Sequence, residues 1–393
     1  MDNPFGIVTT EQIRSGVATD EYFQRTREVL EHAGRNPHVV AEVTADQFPT
    51  GAFEVLAGVA DLARLFEGRS VDVGAMAEGR LFDGGPVARI EGNYLAFAEL
   101  ETSLLGFCSQ ASGFATAALE TRRAAPQTTL FSFGSRHLHP AIAGVVERSA
   151  LTGGFDGFSH VAAGELLGRQ ASGTMPHALL LCFGEERLAD AWIAFDEAAP
   201  AETPRIALCD TFYDEKTESL LAAETLGDAL DGVRLDTTGS RRGDFRHICR
   251  EVRWALDARG YEDVDIFLSG GITPETIRAT RDVADGYGVG SYVTAADPVD
   301  FALDIVAVDG EPVAKRGKLG GVKQVYRTAD GEHLVRLADG SGQRAGPPPA
   351  DAEPLLEPLV RDGAIVRNDL DDIDAARKRC LADAEAVGFG GTV

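Results

Sequence analysis

The stretch Gly-Val-Arg-Leu-Asp-Thr-Thr-Gly-Ser-Arg-Arg-Gly-Asp at 232–244 is followed by Val-Asp-Ile-Phe-Leu-Ser-Gly-Gly-Ile-Thr-Pro-Glu at 264–275 and by Gly-Tyr-Gly-Val-Gly-Ser at 286–291. Each short apolar run in these stretches ends in polar residues or glycine, and amphipathic segments separate the runs. Strand and helix signals that alternate in this way predict parallel strands joined by crossover helices. We therefore expect an α/β protein with an irregular parallel α/β barrel, whose ligand lies at the C-terminal ends of the strands.

Two glycine loops at the ends of predicted strands, Ser269-Gly270-Gly271 and Gly288-Val289-Gly290, are candidates for a phosphate site. Glycine lets backbone N–H groups approach an anion, and each loop leads towards a turn or a helix N-terminus. Glycines that only form turns are the alternative. Two such loops after consecutive strands, with Asp236 ending the strand before them, favour a phosphate-binding barrel.

The remaining sequence predicts further elements around this barrel. Residues 1–115 mix helical and strand patterns and predict an α+β domain, and residues 116–300 carry the alternating pattern of the barrel. Within the first of these regions we expect one helix over 53–67, and a long helix from Tyr94 to Arg122 that is broken at Gly106 and Gly113. The apolar run 178–183 has no period that distinguishes helix from strand, and the pattern beyond about 300 changes to short strands and turns.

The charge of the chain restricts its partners and suggests its environment. The 393 residues carry a net charge of -25, which argues against nucleic acid as a general partner. Only five residues are Lys, so the basic residues are almost all Arg, and a carboxylate-rich, lysine-poor surface indicates adaptation to molar salt in a haloarchaeal, salt-in cytoplasm. Three of the five lysines, Lys315, Lys318 and Lys323, fall close together, so we expect that cluster to have a function.

Apolar runs and cysteines indicate the compartment. The sequence has no 18-residue apolar run and no basic-then-apolar start, so we expect a soluble cytoplasmic protein that does not contact a membrane. Five scattered cysteines without a Cys-x-x-Cys motif predict buried free thiols in a reducing compartment, and no zinc site.

Charged side chains are predicted at the same end of the barrel as the glycine loops. Arg136, Asp210, Arg234 and Asp236 each follow or end a predicted strand. Two carboxylates, two arginines and two anion-binding loops suit a phosphorylated sugar with Mg²⁺, with an anionic second substrate near the arginines. Each Arg or Asp taken singly could instead form a structural salt bridge.

Motifs distributed along about residues 4–340 resemble those of the nicotinate phosphoribosyltransferases, in the branch of the type II phosphoribosyltransferases that includes nicotinamide phosphoribosyltransferase. Each motif is short, and their order and spacing together make the resemblance specific. The motifs are Thr19-Asp20-x-Tyr22, Glu-Leu-Glu-Thr at 99–102, Phe133-Gly134-Ser135-Arg136, Gly173-Thr174-x-x-His177, Asp210-Thr211, Arg234-Leu235-Asp236-Thr237, the two glycine loops and the lysine cluster.

The resemblance implies a fold, an assembly and a base pocket. Residues 301–393 would complete the N-terminal domain, and the protein would be a homodimer with shared active sites, or a higher oligomer. Tyr22 would stack on the pyridine ring from the neighbouring subunit. Phe133 and Arg136 would be further walls of the base pocket, and Arg234 would pack beside the ring.

The same resemblance assigns the phosphoribosyl donor and the metal. Asp236 would hold ribose hydroxyls, and Asp210 would face the pyrophosphate and its Mg²⁺. The residues implied for the phosphates are Ser269, Gly270, Gly271, Gly288 and Gly290 for the 5′-phosphate, and Lys315, Lys318 and Lys323 for the pyrophosphate.

Three further positions bear on energy coupling and on substrate choice. His177 resembles the histidine that the family phosphorylates to couple ATP hydrolysis to synthesis, and a histidine that makes only a local hydrogen bond is the alternative. Ser159 falls where the amide-using relative has an Asp near the carboxamide, which favours nicotinate because a hydroxyl accepts a carboxylate that an Asp would repel. His160 departs from the family, which often has Asn there, and leaves open how the carboxylate is held.

The reaction implied by the resemblance joins nicotinate to 5-phosphoribosyl 1-diphosphate, with Mg²⁺ and with ATP as co-substrate, and releases nicotinate mononucleotide and pyrophosphate in NAD salvage. Quinolinate phosphoribosyltransferase is the nearest alternative. A phosphate-binding barrel isomerase or aldolase is the second alternative, and it would require a Schiff-base lysine on a strand. A regulatory homologue without activity is the third alternative.

Overall fold

The computed structural model describes residues 5–45, 53–338 and 347–388, and the ends of the predicted terminal segments, 1–4 and 389–393, lie outside the described residues. The chain divides into two compact units. The first contains Met1–Leu119, Thr152–Gly154 and Ala296–Val393, and the second contains Glu120–Leu151 and Phe155–Ala295. The boundaries are thus at 119 and 295, where the sequence placed them at 115 and 300.

The first unit is built on an antiparallel sheet that has seven strands within the described residues. Its strands come from both ends of the chain, since Phe301–Val308 pairs with His38–Ala45 and Glu357–Arg361 pairs with Val71–Ala75. Apolar side chains of these strands and of the helices packed on them form one buried core. In order across the sheet, the strands are Glu311–Pro312, Phe301–Val308, His38–Ala45, Pro86–Asn93, Val71–Ala75, Glu357–Arg361 and Ala364–Ile365.

Smaller sheets and several helices complete the first unit. A three-stranded sheet contains His333–Leu337, Lys323–Arg327 and Glu353–Pro354, and a two-stranded sheet contains Glu54–Val55 and Leu81–Phe82. The helices are Thr10–Arg14, Glu21–His32, Val59–Phe66, Glu101–Ala124 and Ile373–Ala386, with short 3₁₀ turns at Tyr94–Ala96 and Ala98–Leu100.

Two sequence-based predictions of helices in this part of the chain were wrong. The helix expected over 53–67 begins only at Val59, because Gly58 adopts a left-handed φ of 89° before it. The helix Glu101–Ala124 is not broken at its glycines. A Cβ on Gly113 would lie 2.3 Å from the carbonyl oxygen of Asp297, so this glycine permits a close backbone approach inside a continuous helix.

The second unit contains a parallel sheet of six strands within the described residues. No backbone ladder joins its two outer strands there, so the barrel is irregular. Together with the antiparallel sheet of the first unit, this arrangement confirms the predicted fold class. In order, the strands are Gly157–Phe158, Thr129–Ser132, Gly286–Val289, Asp265–Leu268, Gly232–Leu235 and Ile206–Leu208.

Helices follow the strands of the second unit and position the strand ends. Between Gly157–Phe158 and Ile206–Leu208 the chain forms three helices in place of another strand, and the ambiguous apolar run 178–183 belongs to one of them. None of the described helices of the protein is long and apolar enough to cross a membrane. The helices are Ala143–Thr152, Val161–Leu167, His177–Phe183, Leu188–Ala198, Glu215–Leu226, Phe245–Asp257, Pro274–Thr280 and Ser291–Thr294.

Candidate active site

A cavity of about 340 Å³ and a larger one of about 670 Å³ lie in the second unit, and the larger one is lined by residues that follow the parallel strands. The two share Phe133, Gly173, Thr174, Arg234 and Gly288 in their walls. The larger cavity brings together most of the residues that the sequence indicated. They are Phe133, Arg136, Ser159, His160, Arg234, Asp236, Ser269, Gly270, Gly271, Gly288 and Gly290.

Glycines on one strand make room for the aromatic walls. A Cβ on Gly288 would lie 2.2 Å from the ring of Phe133, and one on Gly286 would lie 2.1 Å from the ring of Phe267. Phe131 and Phe133 stack with ring centroids 6.4 Å apart. The strand Gly286–Val289 therefore uses glycine to admit flat rings, which gives the smaller cavity an aromatic lining suited to a planar ligand.

Asp210 and His177 form a pair beside the strand ends. The Nε2 of His177 lies 3.7 Å from Oδ1 of Asp210, and its Nδ1 lies 3.0 Å from the hydroxyl of Thr211. The side chain of Asp210 is only 4% exposed, and burial raises its pKa to about 6, although the nearby His177 and the N–H of Asp236 oppose this rise. Its Oδ2 accepts that N–H at 2.6 Å, whereas Oδ1 is buried without a hydrogen-bond partner.

Arg234 holds the loop that precedes His177. Its Nη1 donates to the hydroxyl of Thr174 at 2.6 Å and its Nη2 donates to the carbonyl of Met175 at 2.9 Å, while Nε is buried without a partner. Burial lowers the pKa of this guanidinium, and the carboxylates of Asp236 and Asp210 oppose that shift. The arginine therefore shapes the cavity wall as well as adding positive charge to it.

The first glycine loop has a conformation that other residues adopt with strain. Gly270 and Gly271 have φ of 78° and 65°, and a Cβ on Gly270 would lie 2.3 Å from Oδ1 of Asp236. The buried hydroxyl of Ser269 has no hydrogen-bond partner. The helix after this loop begins at Pro274, where a proline fits the first helical turn.

The opposite wall carries donors suited to a carboxylate. Arg136 is exposed and lines the larger cavity, and the hydroxyl of Ser159 donates to the carbonyl of Ser132 at 3.3 Å. The Nδ1 of His160 accepts the N–H of Ala163 at 3.2 Å and caps the following helix. A neutral imidazole with an accepting Nδ1 carries its proton on Nε2, so His160 keeps one N–H donor.

Two buried glutamates that the sequence did not indicate support the loops of the site. Glu218 is fully buried and its carboxylate accepts three successive N–H groups, those of Thr211, Phe212 and Tyr213, at 2.6 to 2.9 Å. Glu147 is also fully buried and accepts the hydroxyl of Ser135, and burial raises its pKa. Neither contact could be found from sequence spacing, because Glu147 and Glu218 themselves lie outside the motifs that the sequence shows.

The remaining predicted residues, Tyr22 and the three lysines, lie in the first unit. Tyr22 is 58% exposed on the helix Glu21–His32. Lys315 and Lys318 lie 3.0 and 3.5 Å from the carboxylate of Asp304.

Lys323 differs from the other two lysines because each of the three N–H donors of its ammonium group has an acceptor. It contacts Glu42 and the carbonyls of Leu319 and Gly321, each at 2.8 Å. Asp304 and Glu42 oppose each other across two paired strands, so the cluster neutralises two buried like charges.

Comparison with known proteins identifies relatives over most of the chain. The model of the quinolinate phosphoribosyl transferase N-terminal domain matches residues 20–112, and the model of the C-terminal domain of the same family matches residues 114–304. A nicotinate phosphoribosyltransferase of Mycobacterium tuberculosis is 33% identical over 340 residues, which cover 81% of this chain and 73% of the relative.

Solved structures also match this chain over most of its length. A nicotinate-nucleotide pyrophosphorylase from Pyrococcus furiosus is 47% identical, with a TM-score of 0.93 and complete coverage of both chains. Human nicotinic acid phosphoribosyltransferase shares the fold, with a TM-score of 0.75 at 23% identity over 93% of this chain and 94% of that one.

Proposed function

The chain belongs to the family of quinolinate and nicotinate phosphoribosyltransferases, and from this premise we propose that it forms nicotinate mononucleotide and pyrophosphate from nicotinate and 5-phosphoribosyl 1-diphosphate. The observation that carries the proposal is the composition of one cavity. Its walls combine the Arg136 and Arg234 guanidinium groups, the Asp236 carboxylate and two glycine loops, which suits an anionic planar base next to a phosphorylated ribose.

Base recognition follows from the two walls of the cavity. Phe133 offers a ring face to a pyridine, Arg136 and the Nε2–H of His160 offer donors to a carboxylate, and the uncharged Ser159 lines the same cavity. Asp236 is the one acidic side chain among the described residues that line this cavity, and it belongs to the wall with the glycine loop. A carboxylate at the Arg136 wall therefore finds donors, whereas a carboxamide gains less from them.

The ribose and its phosphates would occupy the wall formed by the strand ends. Asp236 would accept the ribose hydroxyls, and the N–H groups of the glycine loops would bind the 5′-phosphate. The unpartnered hydroxyl of Ser269 lies beside them and would donate to the same phosphate. Bond breaking at C1′ would need no protein nucleophile, because the pyridine nitrogen attacks the sugar directly and carries no proton.

The carboxylates also fit a magnesium ion. Mg²⁺ in enzymes of phosphorylated substrates is held by one or two carboxylates together with substrate phosphates. The buried and unpartnered Oδ1 of Asp210, together with Asp236, provides such oxygens, and the described residues contain no larger metal-binding group. When bound, the ion would neutralise the charge that develops on the leaving pyrophosphate.

His177 would couple ATP hydrolysis to this reaction. Its neutral imidazole has a lone pair that can attack the γ-phosphorus of ATP, so that an N–P bond forms while the bond to the ADP oxygen breaks. With Nδ1 beside the Thr211 hydroxyl, the ring presents Nε2 towards Asp210 and the strand ends. The contact of Nδ1 with the Thr211 hydroxyl would hold the ring so that the lone pair on Nε2 is the one that attacks.

The quinolinate reaction is the second candidate, because the matching domain models carry that name. Quinolinate brings a second carboxylate into the pocket, which needs a further cation. Of the two arginines in the cavity wall, Arg234 already donates through Nη1 and Nη2 to Thr174 and Met175. Two of the five N–H donors of Arg234 are thus bound to the loop, and together with the exposed Arg136 this supports a base with a single carboxylate.

The other proposals concern assembly and environment. We propose a homodimer with shared active sites, or a higher oligomer, in which Tyr22 and the lysines bind substrate as the family resemblance implies. Lys323 is less available for this than Lys315 or Lys318, since its three donors are already used. The net charge of -25 supports adaptation to a cytoplasm of molar salt, in which screening reduces repulsion between carboxylates.

The test is a substrate panel at high salt. The protein would be assayed in about 2–3 M KCl, a range chosen because the surface is so acidic, with Mg²⁺, 5-phosphoribosyl 1-diphosphate and nicotinate, nicotinamide or quinolinate, each with and without ATP. We expect mononucleotide from nicotinate, more of it with ATP, and loss of product in the variant Asp236→Asn. Product from quinolinate with CO₂ release, and none from nicotinate, would establish the second candidate.

A further inference from the structure

Two adjacent arginines, Arg241 and Arg242, follow the strand Gly232–Leu235, and neither lines the two cavities. Their surroundings differ. Arg241 is exposed, whereas the guanidinium of Arg242 is half-buried and its Cζ lies 4.2 Å from the centre of the Phe245 ring. Arg242 is therefore held in place from one face by an aromatic ring.

Arg242 joins the ends of two neighbouring strands through their carbonyl groups. Its Nε and Nη2 donate to the carbonyl of Thr237 at 3.0 and 2.7 Å, and Nη2 also donates to the carbonyl of Gly270. Thr237 follows the strand Gly232–Leu235, and Gly270 follows the strand Asp265–Leu268. Because both acceptors are backbone carbonyls, Arg242 does not neutralise a carboxylate here, and it fixes the path of both loops.

The contact with Gly270 sets the direction of an N–H group. In a planar trans peptide the C=O and the following N–H point in opposite directions. With the carbonyl of Gly270 turned towards Arg242, the N–H of Gly271 points away from Arg242; both glycines line the larger cavity, whereas Arg242 does not. Within the described part of the chain, the N–H groups of Gly270 and Gly271 donate to no protein acceptor.

We propose that Arg242 is a positioning residue, which aims the N–H of Gly271 into the cavity so that it donates to a phosphate group of the substrate. The inference rests on the proposed function of the cavity. Glycine alone would not fix the orientation of this peptide, because a glycine can adopt many backbone conformations besides those with positive φ. The arginine supplies the missing restraint, and it acts through the backbone without contacting the phosphate.

Three variants separate this role from a general effect of charge. Arg242→Gln removes both the charge and the fork of donors. Arg242→Lys keeps the charge as a single point that cannot reach both carbonyls in the same geometry. Arg241→Gln is the matched control, since it makes the same change of charge on the neighbouring, exposed residue.

The probes are inorganic phosphate and 5-phosphoribosyl 1-diphosphate, whose binding would be measured by titration calorimetry in the presence of Mg²⁺. The KM for each substrate and the unfolding temperature would be measured beside them. We expect both Arg242 variants to weaken binding of the two probes by about tenfold or more, which corresponds to the loss of a charge-assisted hydrogen bond. The KM for nicotinate should stay within about twofold of the native value, and Arg241→Gln should change neither quantity by more than about twofold.

Three results would overturn the inference. They are native affinity for the probes in Arg242→Gln, native affinity in Arg242→Lys, and a loss in Arg241→Gln as large as that in Arg242→Gln. If Arg242→Gln does not fold, the lysine variant decides, since it separates charge from geometry by itself. The titrations do not depend on turnover, so a protein that forms no mononucleotide would refute the proposed function and still show whether Arg242 governs phosphate binding.

Discussion

The substitution Asp210→Asn should remove activity and at the same time stabilise the protein at neutral pH. Burial raises the pKa of Asp210 from its ordinary 3.8 to about 6, so the folded chain holds the proton more tightly than the unfolded chain does. At pH 7 the folded protein must nevertheless keep this carboxyl ionised in a site where its side chain is only 4% exposed. The native residue therefore lowers the free energy of unfolding at neutral pH.

The size of the effect follows from the shift in pKa. A rise of this magnitude corresponds to at most about 3 kcal/mol, since each pKa unit is worth about 1.4 kcal/mol. The pKa of about 6 already includes the opposing effects of His177 and of the Asp236 N–H, so we expect Asp210→Asn to be more stable by about 1–3 kcal/mol at pH 7. The unfolding temperature should rise by about 2–4 °C for each kcal/mol.

The sign of the pH dependence is part of the prediction. A folded-state pKa above the unfolded value makes native stability fall as pH rises from about 4 to about 6, relative to the Asn variant. Below about pH 4 both states of the native chain bind the proton, and the difference between native protein and variant should vanish. Thermal unfolding in molar KCl at several pH values measures this difference, and turnover at pH 7 should fall by about 100-fold or more because the site loses a charge.

Asp196→Asn is the matched control for this experiment. It makes the same change of charge in the same unit, at a half-exposed carboxylate that pairs with Arg205 at 2.8 Å. We expect it to leave turnover within about twofold and to lower stability by at most about 1 kcal/mol. The reasoning is refuted if Asp210→Asn is less stable than the native protein at pH 7, because Asp210 would then be a structural acceptor.

Further substitutions test other parts of the site. His177→Ala should abolish transfer of ³²P from ATP to the protein, while Cys182→Ala on the same helix should leave it intact; labelling that survives in His177→Ala would remove the phosphohistidine. Gly270→Ala should weaken binding of 5-phosphoribosyl 1-diphosphate by about tenfold or more, because its Cβ would lie 2.3 Å from Asp236 Oδ1 and its φ is 78°. Gly271→Ala meets no atom within 4 Å and should show only the strain of about 1–2 kcal/mol in thermal unfolding, so equal stability losses in the two variants would argue against the contact with Asp236. Ser159→Asp should raise the KM for nicotinate by about tenfold or more through repulsion of the carboxylate, with Ser159→Ala as control; an unchanged KM would place the carboxylate elsewhere.

The sequence predicted the positions of strand ends well, because each short apolar run is followed by a polar residue or by glycine. Asp236, Gly270 and Gly288 were assigned to the mouth of the barrel for this reason, and the larger cavity has all three in its walls. The period of the pattern did not reveal the helix His177–Phe183, since its apolar run is too short to show a helical repeat.

Contacts between distant residues were not predictable from the same patterns. Arg242 reaches a carbonyl 28 residues away, and Lys323 pairs with Glu42, which is 281 residues away. Spacing could indicate that the lysine cluster has a purpose, and only the pairing of Glu42 with Asp304 across two strands shows what the lysines neutralise. Glu218 was missed for a related reason, because its partners are backbone N–H groups that every sequence contains.

The most direct test of the proposed reaction is a competition between two bases in one vessel. Deuterated nicotinate and unlabelled quinolinate, at equal concentration with 5-phosphoribosyl 1-diphosphate and Mg²⁺ in molar KCl, both yield nicotinate mononucleotide, and the mass of the product reports its source. The ratio of labelled to unlabelled product equals the ratio of the two kcat/KM values. We predict product that is almost entirely deuterated, and a predominance of unlabelled product would contradict the account.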